Sequence, residues 1–88
     1  MITVYGKPGC TQCDQAKTLS STRGLEYHYI ELDLGQNKDS TTEYISREQF
    51  FMLFPDAKSV PQIVIDDQYI GGLREFQQYL KGKKDDSI

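Results

Sequence analysis

The sequence predicts a single α/β domain with the element order β-α-β-α-β-β-α, in which a four-stranded mixed sheet is flanked by helices. Three observations carry this. Apolar spacing switches along the chain between the alternation of strands and the three- and four-residue period of helices. Glycines and prolines mark the switches. The first third reads strand, helix, strand, a unit whose two strands must pair in parallel around a crossover helix. The 88 residues leave room for one domain. Area scaling for that size buries about 64% of the unfolded surface, enough for one modest core without staples.

In chain order, Ile2 to Tyr5 is β-branched and aromatic and forms the first strand. Gly6-Lys7-Pro8-Gly9 breaks it. From Cys10 a helix follows, with Cys13, Ala16 and Leu19/Ser20 on one face and Gly24 as the residue past its end. Glu26 to Leu32 is the second strand, and the polar segment from Asp33 to Thr42 reads as an exposed loop. Two capping boxes compete downstream, Ser40 with Glu43 and Ser46 with Gln49. The second is preferred, because Phe50, Leu53 and Phe54 follow at helical spacing and Pro55 ends the pattern. Gln62 to Asp66 is the third strand, Asp66-Asp67-Gln68 its turn, and Tyr69-Ile70 opens the fourth. Gly71-Gly72 starts a last helix with Leu73, Phe76 and Leu80 on one face. The domain therefore spans residues 1–82, and residues 83–88 read as a frayed tail.

Composition excludes several classes. Ten basic against thirteen acidic residues give a net charge of −3, which argues against nucleic acid as a partner. No apolar run approaches the roughly 18 residues of a membrane span, and the N-terminus lacks the basic and long apolar segments of a secretion signal. Two cysteines are too few for a disulfide framework. The expectation is a cytoplasmic protein in a reducing compartment, with no membrane and no nucleic-acid partner.

Cys10-Thr11-Gln12-Cys13 is the sharpest motif. It lies where a strand passes into a helix, the placement of a redox-active cysteine pair. Unpaired N–H groups and the positive end of the helix dipole stabilise a thiolate at Cys10, so its pKa is expected well below the reference of about 8.5. Lys7 adds positive charge nearby. A cysteine three residues on lies one turn deeper on the same face, within disulfide reach. Cys10 is thus placed to attack a disulfide and Cys13 to resolve the mixed disulfide. A zinc site needs four N/S ligands, and His28 with two cysteines falls short, so no metal is expected. Two inert core cysteines are the other alternative.

Two further features invite functional readings beside plain ones. Pro61 before a strand is either a turn proline or a cis residue that frees the backbone of Val60 to bind an extended thiol peptide. Gly71-Gly72 is either a turn or an anion-binding helix start with N–H groups from Gly72, Leu73 and Arg74.

Together these residues resemble the glutaredoxin family, from Met1 to about Lys81. The resemblance rests on Lys7, Cys10-Thr11-Gln12-Cys13, Val60-Pro61-Gln62-Ile63 and Ile70-Gly71-Gly72, and the Phe54-Pro55-Asp56-Ala57-Lys58 approach is similar to small phage- and bacterial-type dithiol members. It implies a thioredoxin-like fold and reduction of protein disulfides and glutathione mixed disulfides, with glutathione as co-substrate and no bound cofactor. It further implies Cys10 as nucleophile, a cis Val60–Pro61 bond, and glutathione lying across Lys7, Gln12, Ser59, Val60, Pro61, Gly72, Leu73 and Arg74. The implied partners are glutathione and disulfide-containing clients, ribonucleotide reductase among the candidates, acting on a monomer. Three positions depart from the family pattern: Thr11-Gln12 stands for Pro-Tyr, Ser59 for threonine, and Arg74 for an acidic residue. Two rival functions remain: a redoxin reduced by thioredoxin reductase, and a carrier holding an iron–sulfur cluster through Cys10 and glutathione.

Overall fold

The computed structural model describes residues 1–86, with side chains described to residue 82. Its elements are β1 (Ile2–Gly6), α1 (Thr11–Thr22), β2 (Tyr27–Leu32), β3 (Glu43–Ile45), α2 (Arg47–Leu53), β4 (Gln62–Ile65), β5 (Gln68–Gly71) and α3 (Leu73–Asp86). The sheet order is β3-β2-β1-β4-β5. β1 pairs in parallel with β2 and antiparallel with β4, so the sheet is mixed, as expected.

Strand alternation divides the core into two layers. Ile2, Val4, Ile63 and Ile65 point to one face, where Ala16 of α1 and Phe76 and Leu80 of α3 cover them. Tyr5 and Val64, one residue out of phase, point to the other face and pack with Leu32, Phe50 and Phe54. Ser20, a polar residue in the first layer, is fully buried because its hydroxyl donates to the Ala16 carbonyl at 3.0 Å.

Local signals placed most element ends. Ser46 caps α2, its hydroxyl accepting from the Gln49 N–H at 3.1 Å. Gly24, past the end of α1, takes a φ of 68° that suits glycine. Asp66 and Asp67 both adopt positive φ in a two-residue hairpin loop between Ile65 and Gln68, the primed-turn geometry that matches strand twist.

Three expectations are corrected. The sheet has five strands, not four: Glu43–Ile45 pairs in parallel with β2, and the Asp33 N–H donates to the Ile45 carbonyl at 2.9 Å. Three residues carry too little alternation to announce a strand, and only the neighbouring β2 makes it one. Leu53 continues the α2 periodicity yet is 56% exposed, because the two-turn helix rests on Phe50 and Phe54. The last helix does not stop at Gly82 but runs to Asp86. One glycine costs a helix interior only about 1 kcal/mol, too little to end it. The rest of the expected tail, residues 87 and 88, lies outside the described residues. No helix among the described residues is long and apolar enough to cross a membrane.

Candidate active site

Cys10 and Cys13 form a disulfide at the start of α1. Cys10 is the N-cap: its extended backbone precedes the helix, its carbonyl accepts from the Asp14 N–H at 3.1 Å, and its sulfur accepts from the Cys13 N–H at 3.1 Å. A capping side chain satisfies one of the four unpaired donors of a helix start. Here sulfur takes that role, and the donors available to a neutral sulfur serve a thiolate better. Cys10 is partly exposed, whereas Cys13 is fully buried. The expected division into an outer and an inner sulfur is therefore present in the geometry.

The surroundings of Cys13 come from β1 and β2. A Cβ on Gly6 would lie 2.9 Å from the Cys13 sulfur and 2.8 Å from Tyr29 Cε1, so a glycine is needed where strand, sulfur and ring converge. The Tyr29 hydroxyl donates to Glu31 Oε1 at 2.9 Å, and Gln36 Nε2 donates to Glu31 Oε2 at 2.9 Å. Burial, reinforced by the Glu31 carboxylate, pushes the Tyr29 phenol well above its ordinary range. Lys17, one turn along α1, places its ammonium 4.0 Å from the Tyr29 ring centroid. Neither Gly6 nor Tyr29 stood out in the sequence, since both act through contacts with residues distant along the chain.

Opposite Cys10 lies the loop before β4. The Val60–Pro61 peptide bond is cis, and the Val60 carbonyl oxygen is 3.9 Å from the Cys10 sulfur. Ser59 and Val60 also line a groove of about 260 Å³ with Lys7, Lys58, Phe51 and Ala57. Lys7, Ser59, Val60, Pro61 and the cysteines are thus gathered at one end of the sheet.

The start of α3 adjoins this loop, since a Cβ on Gly72 would meet the Pro61 carbonyl oxygen at 3.5 Å. The Gly72 N–H, expected among the anion-binding groups, donates to Glu75 Oε1 at 2.8 Å. The spacing is that of a capping box, whose acidic member three residues on was legible in the sequence. The N–H groups of Leu73 and Arg74, in the first turn, have no carbonyl four residues back within the helix. The Gln12 and Arg74 side chains are exposed and make no hydrogen bond or ion pair among the described residues.

A sulfur pair that opens and closes one bond at a helix start, facing a kinked loop across a few ångströms, is built to exchange disulfides with a bound chain. Fold and site together define a thiol–disulfide oxidoreductase with a thioredoxin-like fold. Comparison with known proteins narrows the class. The glutaredoxin family model matches residues 2–70, and the chain belongs to the glutaredoxin family. It is 33% identical to a glutaredoxin of Vibrio cholerae, over 91% of this chain and 90% of that one. Among solved structures it is similar to reduced Escherichia coli glutaredoxin, with a TM-score of 0.71 and 26% identity over 96% of each chain. It is also similar to a buckwheat glutaredoxin–glutathione complex, with a TM-score of 0.66 and 25% identity over 93% of this chain and 70% of that one.

Proposed function

We propose that this protein reduces protein disulfides and glutathione mixed disulfides, with glutathione as the electron donor. The observation that carries the reading is Cys10 as a sulfur N-cap, accepting the Cys13 N–H at 3.1 Å beside the cis-proline loop. In the reduced protein the Cys10 thiolate attacks one sulfur of the substrate disulfide. The substrate S–S bond breaks, and the departing thiolate takes a proton from water. For a protein disulfide, Cys13 loses its proton and attacks the Cys10 sulfur, releasing the client thiol and closing the Cys10–Cys13 bond. Two glutathione thiols then reopen that bond and leave as glutathione disulfide, so each two-electron reduction consumes two thiols.

Three features support glutathione as donor. Lys7 stands at the groove beside Ser59 and Val60, where a carboxylate would meet it. The N–H groups of Leu73 and Arg74 point from a helix start beside Pro61, where a second carboxylate would be favoured. The buckwheat relative is a glutathione complex. On this reading the protein works as a monomer in the reducing cytoplasm, with ribonucleotide reductase as a candidate client. A second reading, reduction by thioredoxin reductase, is favoured by one observation: Glu75 already occupies the Gly72 N–H that glutathione would use.

The test is turnover of a glutathione mixed disulfide driven either by glutathione with its reductase or by thioredoxin reductase. The first should run and the second should not. Cys13→Ser should retain turnover of the mixed disulfide, which needs one thiolate, and lose reduction of a protein disulfide, which needs two. In alkylation near neutral pH, Cys10 should react before Cys13. Preferential labelling of Cys13 would reverse the assignment of roles.

A further inference from the structure

Gln62 follows the cis Pro61 in the chain, and although it is an amide it is only 5% exposed. A buried amide is tolerated where its polar ends are bonded. Gln62 Nε2 donates to the Ser59 carbonyl oxygen at 2.7 Å, and Gln62 Oε1 accepts from the Tyr69 hydroxyl. The first bond bridges Val60 and Pro61. Pro61 has no N–H to offer, and the Gln62 backbone lies in register with Tyr5 of the central strand. The side-chain amide thus closes a turn that would otherwise need a main-chain donor. Its far end is steadied in turn, since the Tyr69 ring packs on Phe54 with centroids 5.4 Å apart. The Val60 peptide group, with its carbonyl 3.9 Å from the Cys10 sulfur, is held between these bonded points.

We propose that Gln62 is a positioning residue: through the Ser59 carbonyl it sets the orientation of the Val60 peptide group, so that a substrate chain laid along that loop presents its sulfur to Cys10. Tyr69 is the outer member of this chain of contacts and acts only through Gln62. The inference rests on the proposed role of the Val60 backbone as a binding edge, and not on glutathione being the thiol bound there.

The experiment compares the parent with Gln62→Leu, Tyr69→Phe and the double variant. Each reduces two mixed disulfides of one cysteine peptide, one with glutathione and one with cysteamine, and Cys10 alkylation is measured alongside. Gln62→Leu should raise the apparent KM about fivefold for both substrates, the ratio that one net hydrogen bond corresponds to. It should leave kcat and the Cys10 alkylation rate unchanged. Tyr69→Phe should give a smaller rise, and the double variant should match Gln62→Leu, because the two act in series. An unchanged KM in Gln62→Leu overturns the proposal. So does a fall in kcat and alkylation rate that tracks the rise in KM, which would mark a general loss of structure. If Gln62→Leu does not fold, Tyr69→Phe decides alone, and an unchanged KM there overturns the proposal as well. A parent that shows no preference for the glutathione disulfide removes a glutathione-specific substrate site, while the Gln62 effect is still read on both substrates.

Discussion

Adding one methyl group at Gly6 tests how closely the resolving cysteine is held. Gly6 closes the central strand and is buried. A Cβ there would lie 2.8 Å from Tyr29 Cε1, 2.9 Å from the Cys13 sulfur and 3.0 Å from the Tyr29 hydroxyl oxygen. Ordinary contact begins at 3.4 Å, so each neighbour must yield by about half an ångström. Tyr29 resists, because its hydroxyl donates to Glu31 at 2.9 Å and Lys17 covers its ring. Cys13 resists too, fully buried in the first turn of α1. Overpacking of this kind costs typically 1–3 kcal/mol, roughly. Replacing glycine by alanine recovers about 0.4–1 kcal/mol by restricting the unfolded chain. The expected net loss in Gly6→Ala is about 1–2 kcal/mol, or roughly 5–15 °C in Tm for a domain of this size. Displacing the Cys13 sulfur should also slow release of a client from its mixed disulfide with Cys10, while the first attack by Cys10 keeps its rate. Urea unfolding and single-turnover release of a labelled client thiol measure the two effects. A variant with the parent's urea midpoint and the parent's release rate would refute the argument.

Two further predictions concern the start of α3. Glu75→Ala removes the acceptor of the Gly72 N–H and should cost about 1 kcal/mol, the usual weight of a helix cap, with most of it restored in Glu75→Gln; thermal unfolding of the three proteins checks this, and equal Tm values would mean that water caps the helix as well. Arg74→Asp should lower the apparent KM for glutathione, because the ammonium of the glutamyl end would meet a carboxylate in place of a guanidinium. That effect should shrink as salt rises, since Arg74 is exposed, and an unchanged or raised KM would make Arg74 a bystander or a carboxylate ligand.

Much of this molecule was legible in its sequence because the relevant signals are local. The Cys10–Cys13 spacing and its place between a strand and a helix are facts about four consecutive residues and their flanks. Ser46 and Gln49 announce α2 and Asp66-Asp67 announces a hairpin, each within a few residues. Glu75, three residues past Gly72, could have been read in the same way. Pro61, by contrast, read locally as either a turn proline or a cis residue, and only the family resemblance implied the cis bond. What the tertiary structure alone decided depends on partners far apart in the chain. Glu43–Ile45 is a strand because β2 offers it an edge. Gly6 must be glycine because Tyr29 converges on it from the neighbouring strand and Cys13 from α1. Gln62 becomes a brace for the cis-proline loop because β5 returns Tyr69 to its far side. Period and punctuation specify which segments are strands and helices, since those follow from each residue's near neighbours. Which side chains meet across the folded core is a property of the packed chain, and it was settled only when the sheet assembled around β1.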